Sequence, residues 1–146
     1  MFSQLLRHQL AFFCRTFLGI VVRLLFTVKV RGINNFPTSD KKTVIIANHQ
    51  SPLDSFFLYL FLPKPPLILV VEKENQRFLE RLFLYLAEHV TIDPLNPNSI
   101  GPVVTKMETS RQILIFPEGR ASHFNSASKV YEHVETITKA ANASIL

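Results

Sequence analysis

The chain has 146 residues, of which 47% are hydrophobic and 18% charged, so it fits one domain with a buried core and excludes an intrinsically disordered chain. Its net charge of +5 suits an anionic lipid, an anionic substrate or a nucleic acid, and charge alone does not choose among them. The single cysteine, Cys14, excludes an internal disulfide and a cysteine-based metal site.

Residues 1–28 predict a basic, aromatic-rich helix. Arg7, Arg15 and Arg23 interrupt its apolar run, so no stretch approaches the roughly 18 to 20 uncharged residues that a bilayer crossing requires. Steps of eight residues advance by about 80° around a helix, which places the three arginines on one broad face and the Phe and Leu side chains on the rest. We expect residues 1–30 to lie in a lipid interface. An ordinary core helix and a signal peptide are the alternatives, although the second lacks a small-residue cleavage site.

After this helix, short apolar strands alternate with helices. A strand is expected to begin at residues 26–30, and the turn formers of residues 31–37 then break the pattern. The predicted strands that follow are 43–47, 67–71, 90–92 and 112–116, and the predicted helices are 51–62, 75–88, 102–110 and 128–141. This alternation predicts an α/β fold with a mainly parallel sheet flanked by helices, in one domain over residues 31–146.

Two loops that follow predicted strands carry reactive side chains. Residues 48–54 read N-H-Q-S-P-L-D, and residues 116–120 read F-P-E-G-R. The carboxyl ends of parallel strands meet at one edge of a sheet, and ligands usually bind there. We therefore expect these two loops to form the functional site.

His49 and Asp54 of the first loop are five positions apart, which on an ideal helix puts them about 140° apart. They can meet only if His49 lies before the helix and Asp54 projects from its first turn, which a helix start at Ser51 and Pro52 permits. A carboxylate bonded to one imidazole nitrogen fixes the tautomer and makes the other nitrogen a better base. The same residues also form a capping box, in which Asp54 only accepts a bond from the Ser51 backbone amide. The spacing leaves both interpretations open.

The second loop combines a carboxylate, a flexible residue and a guanidinium in Glu118, Gly119 and Arg120. Arg120 can bind a phosphate through two parallel charge-assisted hydrogen bonds, and Gly119 lets the backbone approach a ligand closely. The alternative is a solvated turn with a surface Glu-Arg pair, worth about 0 to 1 kcal/mol.

Together the two loops resemble the glycerolipid acyltransferase family, which pairs N-H-x-S-x-x-D, its HX4D motif, with F-P-E-G-R. The resemblance extends from residue 44 to the end. It is strongest to the bacterial 2-acylglycerophosphoethanolamine acyltransferase domain, including I-D-P-L-N-P at residues 92–97. The resemblance implies that His49 is the general base and that Asp54 is its orienting partner.

The resemblance also implies that Glu118, Gly119 and Arg120 bind the glycerophosphate part of an acceptor. Asn48 and Ser51, from the first motif, complete the expected substrate-binding residues. Backbone amides at the helix start near Ser51 are candidate donors to the oxyanion of a tetrahedral intermediate.

The implied function is transfer of a fatty-acyl group from acyl-CoA or acyl-carrier-protein to a lysophospholipid hydroxyl. A thioester is already activated, so we expect no metal and no cofactor. The expected partner surface is a phospholipid membrane, at its cytoplasmic face and by resemblance the bacterial inner membrane. Nucleic acid is not an expected partner, because the basic residues are dispersed and no nucleic-acid-binding motif is found. A catalytically inactive lipid-binding module is the alternative function.

The chain departs from the family in the segment between the two loops. Many members carry F-I-x-R there, and its arginine is thought to meet the phosphate; here the matching residues are 91–94, with Pro94 in place of the arginine. A dianionic phosphomonoester loses its expected partner unless Arg120 or Lys129 replaces it, whereas a phosphodiester loses less. This favours a lysophospholipid such as lysophosphatidylethanolamine as the acceptor.

A second departure follows Arg120. The family usually places a glycine near residues 132–134, and then a fourth motif around a V-P-V strand. The chain ends where that motif should begin, so we expect residues 31–146 to be an acyltransferase domain truncated at its C-terminus. The remaining histidines are expected to be structural or on the surface: His8, His89, His123 and His133.

Overall fold

The computed structural model describes residues 2–37, 41–51, 53–71, 78–93, 96–117 and 133–146. Its helices are α1 (Phe2–Leu25), α2 (Asp54–Phe61), α3 (Phe78–Leu86), α4 (Ile100–Ser110) and α5 (His133–Ala141). Its strands are β1 (Thr43–Ile46), β2 (Leu67–Val71), β3 (His89–Ile92), β4 (Gln112–Ile115) and β5 (Ser144–Ile145). Short 3-10 helices lie at Ile33–Asn35 and Pro97–Ser99.

The strands form one parallel sheet in the order β3-β2-β4-β1-β5. Parallel neighbours need long crossover connections, which the helices supply. The central strand β4 is buried along its whole length, as expected for a strand covered by helices on both faces. The predicted α/β fold is therefore confirmed.

One face of the sheet is covered by α4 and α5. Val44 of β1 and Ile113 of β4 point to this side and pack with Val103, Met107 and Ile137, all fully buried. Their neighbours along the strands point the other way, because side chains alternate between the faces of a strand.

The opposite face is covered by α2, with α1 outside it. Ile45 and Leu114 form a buried cluster with Phe36 there, and Leu58 of α2 is among the partly buried side chains that pack against it. Tyr59 of α2 and Val22 of α1 are buried in a neighbouring cluster against β2. The sheet is thus the middle layer between two helical layers.

Arg15 and Arg23 of α1 both contact α2, and Arg15, which is partly buried there, also contacts its C-cap. The Arg15 guanidinium donates to the backbone oxygens of Tyr59 and Leu62, and the Arg23 guanidinium lies 5.3 Å from the Phe61 ring centroid. The exposed surface of α1 includes the polar residues His8, Gln9 and Thr16. Its apolar side chains that are more than half exposed are Leu6, Leu10, Phe12, Phe13, Phe17, Ile20, Leu24 and Leu25. An ordinary core helix buries such side chains, so that alternative does not fit.

By length and composition, the window His8–Leu25 is apolar enough to cross a membrane, with a mean hydropathy of 1.3. The window contains Arg15 and Arg23, so it agrees with the prediction that no uncharged stretch is long enough to cross a bilayer. It passes the test because two charges do not outweigh the Phe, Leu, Ile and Val side chains. Since a signal sequence passes the same test, the window gives only weak support for membrane association.

The observed elements differ from the sequence prediction in several places. The strand expected at residues 26–30 is absent from the described chain, where the Phe26 and Val28 amides instead form local bonds to Val22 and Phe26 oxygens. Helix α2 begins at Asp54 rather than at Ser51, and its N-cap is Leu53 without a side-chain cap bond. The expected starts of α3 and α5, at residues 75 and 128, lie outside the described residues.

Strand β5 was not predicted. It pairs with β1 in parallel, and the Ser144 and Leu146 amides donate to the backbone oxygens of Lys42 and Val44. These bonds occupy the edge of β1 that faces away from β4. The division into a membrane-contacting segment and a truncated domain stays a prediction.

Substitution of Met107 by alanine should lower the free energy of unfolding by about 2 to 5 kcal/mol, because it removes fully buried surface and leaves a cavity under α4. Leu82→Ala, at a half-exposed position of α3, should change it by about 0.5 kcal/mol or less. Urea unfolding followed by far-UV circular dichroism measures both. Equal losses for the two variants would contradict the described core.

Candidate active site

The site lies at the carboxyl edge of two neighbouring strands. β1 and β4 pair in register with Ile46 opposite Ile115, and the Ala47 amide donates to the Ile115 oxygen over 3.2 Å. The loop after β1 and the loop after β4 therefore leave the sheet side by side. Two motifs that are distant in sequence start from adjacent points.

His49 and Asp54 meet in the first loop. The His49 Nδ1 atom lies 3.2 Å from Asp54 Oδ2. Asp54 is the first residue of α2, and His49 precedes the helix, so the pair has the geometry that the sequence required for contact. The side chains are 17% and 27% exposed, so both are shielded from bulk water while remaining within reach of a substrate.

The same Asp54 oxygen also accepts two backbone bonds. The amides of Gln50 and Ser51 each donate to Asp54 Oδ2 over 2.7 Å. The sequence left a capping role and an orienting role for Asp54 as alternatives, and the structure combines them. Because the backbone bonds anchor the carboxylate to the loop that carries His49, the two side chains are held in one rigid unit.

The contact determines which imidazole nitrogen is available for chemistry. An ionised carboxylate only accepts hydrogen bonds, so His49 Nδ1 must donate to Asp54. In the neutral ring the lone pair is then on Nε2, which is the atom free to take a proton. A carboxylate bonded to Nδ1 also stabilises the imidazolium that forms when Nε2 is protonated.

Phe116 joins the second motif to this pair. Its ring stacks on the His49 imidazole with centroids 4.3 Å apart and planes at 28°. Phe116 is partly buried, and its side chain packs against the cluster of Ile45 and Leu114, which holds the ring in place. It limits rotation of the imidazole out of the plane that meets Asp54. Sequence reasoning placed Phe116 in the loop but assigned it no role. The available signal was its position directly after the strand that neighbours β1.

The other residues of the first loop have defined places. Asn48 is exposed directly before His49, and Ser51 is half-buried, with its hydroxyl accepting a bond from the Leu53 amide over 3.2 Å. The amide of Ser51 is bonded to Asp54, and the Asp54 amide donates to the Ser51 oxygen. The expectation that amides near Ser51 bind an oxyanion is therefore wrong for these donors, because each already has an internal acceptor.

The remaining predicted site residues, Glu118, Gly119 and Arg120, lie outside the described residues, as does Pro94. Among the described residues, no group of three or more His, Cys, Asp or Glu side chains is arranged to hold a metal ion. The expectations of no metal and no cofactor stay predictions.

Substitution of Asp54 by alanine should lower the free energy of unfolding by about 0.5 to 2 kcal/mol, because two backbone amides lose their acceptor. Glu135→Ala is the matched control, since Glu135 is a carboxylate in the first turn of α5 that pairs only with the exposed Lys139 among its described contacts. It should hardly change stability. Thermal or urea unfolding compares the two, and an unaffected Asp54 variant would count against the anchoring bonds.

Comparison with known proteins identifies the group to which the chain is related. A family model described as Acyltransferase matches residues 27–145, which include β1 to β5 and both motif loops. No solved structure matches the chain.

Proposed function

Since the chain belongs to the acyltransferase family, we propose that it moves a fatty-acyl group from acyl-CoA or acyl-carrier-protein to a lysophospholipid hydroxyl. The family match covers most of the chain and gives the general reaction, transfer of an acyl group from a donor to an acceptor. The choice of a lipid acceptor rests on the resemblance of the two motifs to glycerolipid acyltransferases.

One observation supports the mechanism most directly, the 3.2 Å contact between His49 Nδ1 and Asp54 Oδ2. With Nδ1 donating to Asp54, His49 Nε2 removes the proton of the acceptor hydroxyl as its oxygen attacks the thioester carbonyl. The new C–O bond gives a tetrahedral intermediate, which collapses as the C–S bond breaks. The imidazolium then returns its proton to the leaving thiolate.

The second motif supplies the acceptor side of the proposal. Arg120 binds the phosphate of the lysophospholipid by charge-assisted bonds, with Glu118 and Gly119 beside it. Asn48 and Ser51 are the substrate-binding residues of the first loop. Because Pro94 stands where related sequences carry an arginine, the proposed acceptor is a phosphodiester such as lysophosphatidylethanolamine rather than a phosphomonoester.

The exposed apolar face of α1 supports a membrane location. A lysophospholipid is delivered from a bilayer, and α1 presents exposed Phe, Leu and Ile side chains that an interface would cover. We place α1 in the cytoplasmic leaflet of a membrane, by resemblance the bacterial inner membrane, where acyl-CoA and acyl-carrier-protein reach the site from the aqueous side.

Replacement of His49 by alanine should lower turnover by about 10² to 10⁴-fold, because the hydroxyl loses its general base. The assay follows thiol release from acyl-CoA and acyl-carrier-protein with lysophosphatidylethanolamine, lysophosphatidylcholine and lysophosphatidic acid as acceptors. His8→Ala is the control, because His8 is an exposed histidine on α1 and should retain full activity. Equal rates for wild type and His49→Ala would contradict the mechanism. Vesicle binding without any turnover would favour the inactive lipid-binding module.

The double substitution Phe13→Asp with Phe17→Asp should abolish flotation with phospholipid vesicles, because it places two charges on the exposed apolar face of α1. Ile145→Asp introduces a charge at another apolar position that is more than half exposed, on β5, and should leave flotation unchanged. If the double variant still floats as wild type does, the membrane contact lies on another surface.

A further inference from the structure

Arg15 connects α1 to the end of the helix that carries Asp54. Its Nε atom donates to the Tyr59 oxygen over 2.8 Å, and its Nη2 atom donates to the Leu62 oxygen. Tyr59 lies in the last turn of α2, and Leu62 is its C-cap. Both acceptors are therefore at the carboxyl end of α2, and Asp54 is at the amino end.

A guanidinium is stabilised at the carboxyl end of a helix. The last four carbonyls of a helix have no partner within it, and they carry the negative end of the helix dipole. A planar guanidinium can serve two such oxygens at once in a fixed geometry. The Arg15 carbon Cζ also lies 5.8 Å from the Tyr59 ring centroid.

The contact is partly withdrawn from water. Burial lowers the pKa of Arg15 and raises the pKa of Tyr59, and the charge of each group opposes its partner's shift. Arg15 remains charged at neutral pH because a guanidinium starts from a very high pKa. A half-buried charge costs desolvation free energy, which the two carbonyl bonds offset.

The apolar contacts of α2 do not by themselves fix its rotation. Tyr59 and Leu60 are buried against the neighbouring layer, but apolar burial is non-directional. Helix α2 has eight residues, about 12 Å of length, and so short a helix is not stable on its own. Directional bonds lie at its two ends, where Asp54 accepts from the loop amides and Arg15 donates to the last turn and the C-cap.

We propose that Arg15 is a positioning residue, which holds α2 at its carboxyl end and thereby keeps Asp54 within hydrogen-bonding distance of His49. Arg15 itself touches no reacting atom. The kinetic consequence rests on the proposed function, whereas the effect on the His49 imidazole does not depend on any substrate.

The test compares Arg15→Gln with Arg23→Gln in the full chain. Both variants remove one positive charge from α1, but the Arg23 guanidinium faces the Phe61 ring rather than carbonyl oxygens. Arg15→Gln should lower kcat by about 10²-fold with KM little changed, since a displacement near 1 Å in a catalytic group has that effect. Arg23→Gln should retain wild-type kcat. Arg15→Lys, which keeps the charge but loses the planar fork, should give an intermediate kcat and replaces Arg15→Gln if that variant does not fold.

Nitrogen NMR of the imidazole gives the second measurement, with His49→Ala used to assign the signal. Wild type and Arg23→Gln should show His49 with its proton on Nδ1, and Arg15→Gln should show a mixture of tautomers. An unchanged His49 spectrum in the Arg15 variants would overturn the proposal even if kcat falls, because the loss would then come from stability alone. An equal loss of kcat in Arg15→Gln and Arg23→Gln would also overturn it. If wild type shows no turnover, the proposed function fails, and the NMR comparison still decides the role of Arg15.

Discussion

The parallel pairing of β1 with β4 is the constraint on which the site depends. The two strands are far apart in the chain, and the main-chain bonds between them, with Ile46 opposite Ile115, make their carboxyl ends adjacent. His49 follows one end and Phe116 follows the other, so their rings can stack. A shift of one residue in this register would turn the side chains of β1 to the opposite faces of the sheet and exchange the core residues for those of the other layer. The buried apolar pattern that stabilises the sheet therefore also fixes the geometry of the two motif loops.

One oxygen of Asp54 both holds the backbone of the loop and contacts the His49 imidazole. The bonds from the Gln50 and Ser51 amides fold the loop back onto the first residue of α2, and they do not require His49. Because they use the same oxygen that meets His49 Nδ1, the loop cannot move without moving the carboxylate. A carboxylate held only by the imidazole would have to lose side-chain freedom each time the pair formed. The capping arrangement removes that freedom during folding, before any substrate binds.

Much of the fold follows from local pattern. The short runs that become β1, β2 and β4 consist mainly of Val, Ile and Leu, so a strand in a covered parallel sheet is predictable from each run without knowledge of its partners. The sequence predicted that His49 and Asp54 can meet only if a helix begins after His49 and carries Asp54 in its first turn. The stacking of Phe116 was not predictable, because it depends on which strand lies next to β1, and strand order is not encoded in the spacing of motifs. Strand β5 was missed for a similar reason, since two residues give no periodicity and only the free edge of β1 makes Ser144 and Ile145 a strand.

In helix α1 the sequence pattern was correct, but the surroundings of its two kinds of side chain differ from those expected. Sequence periodicity identified an arginine face and an apolar face, and the ordinary expectation for such a helix is that its charges meet water or lipid headgroups. In the structure the carboxyl end of α2 binds Arg15, and the apolar face is left outside. The guanidinium forms directional, charge-assisted hydrogen bonds with the free carbonyls at a helix end, and these bonds replace its contacts with water. The helix with the exposed apolar face is thus bonded through Arg15 to the carboxyl end of α2, and the first residue of α2 is Asp54, which meets His49 at the opposite end.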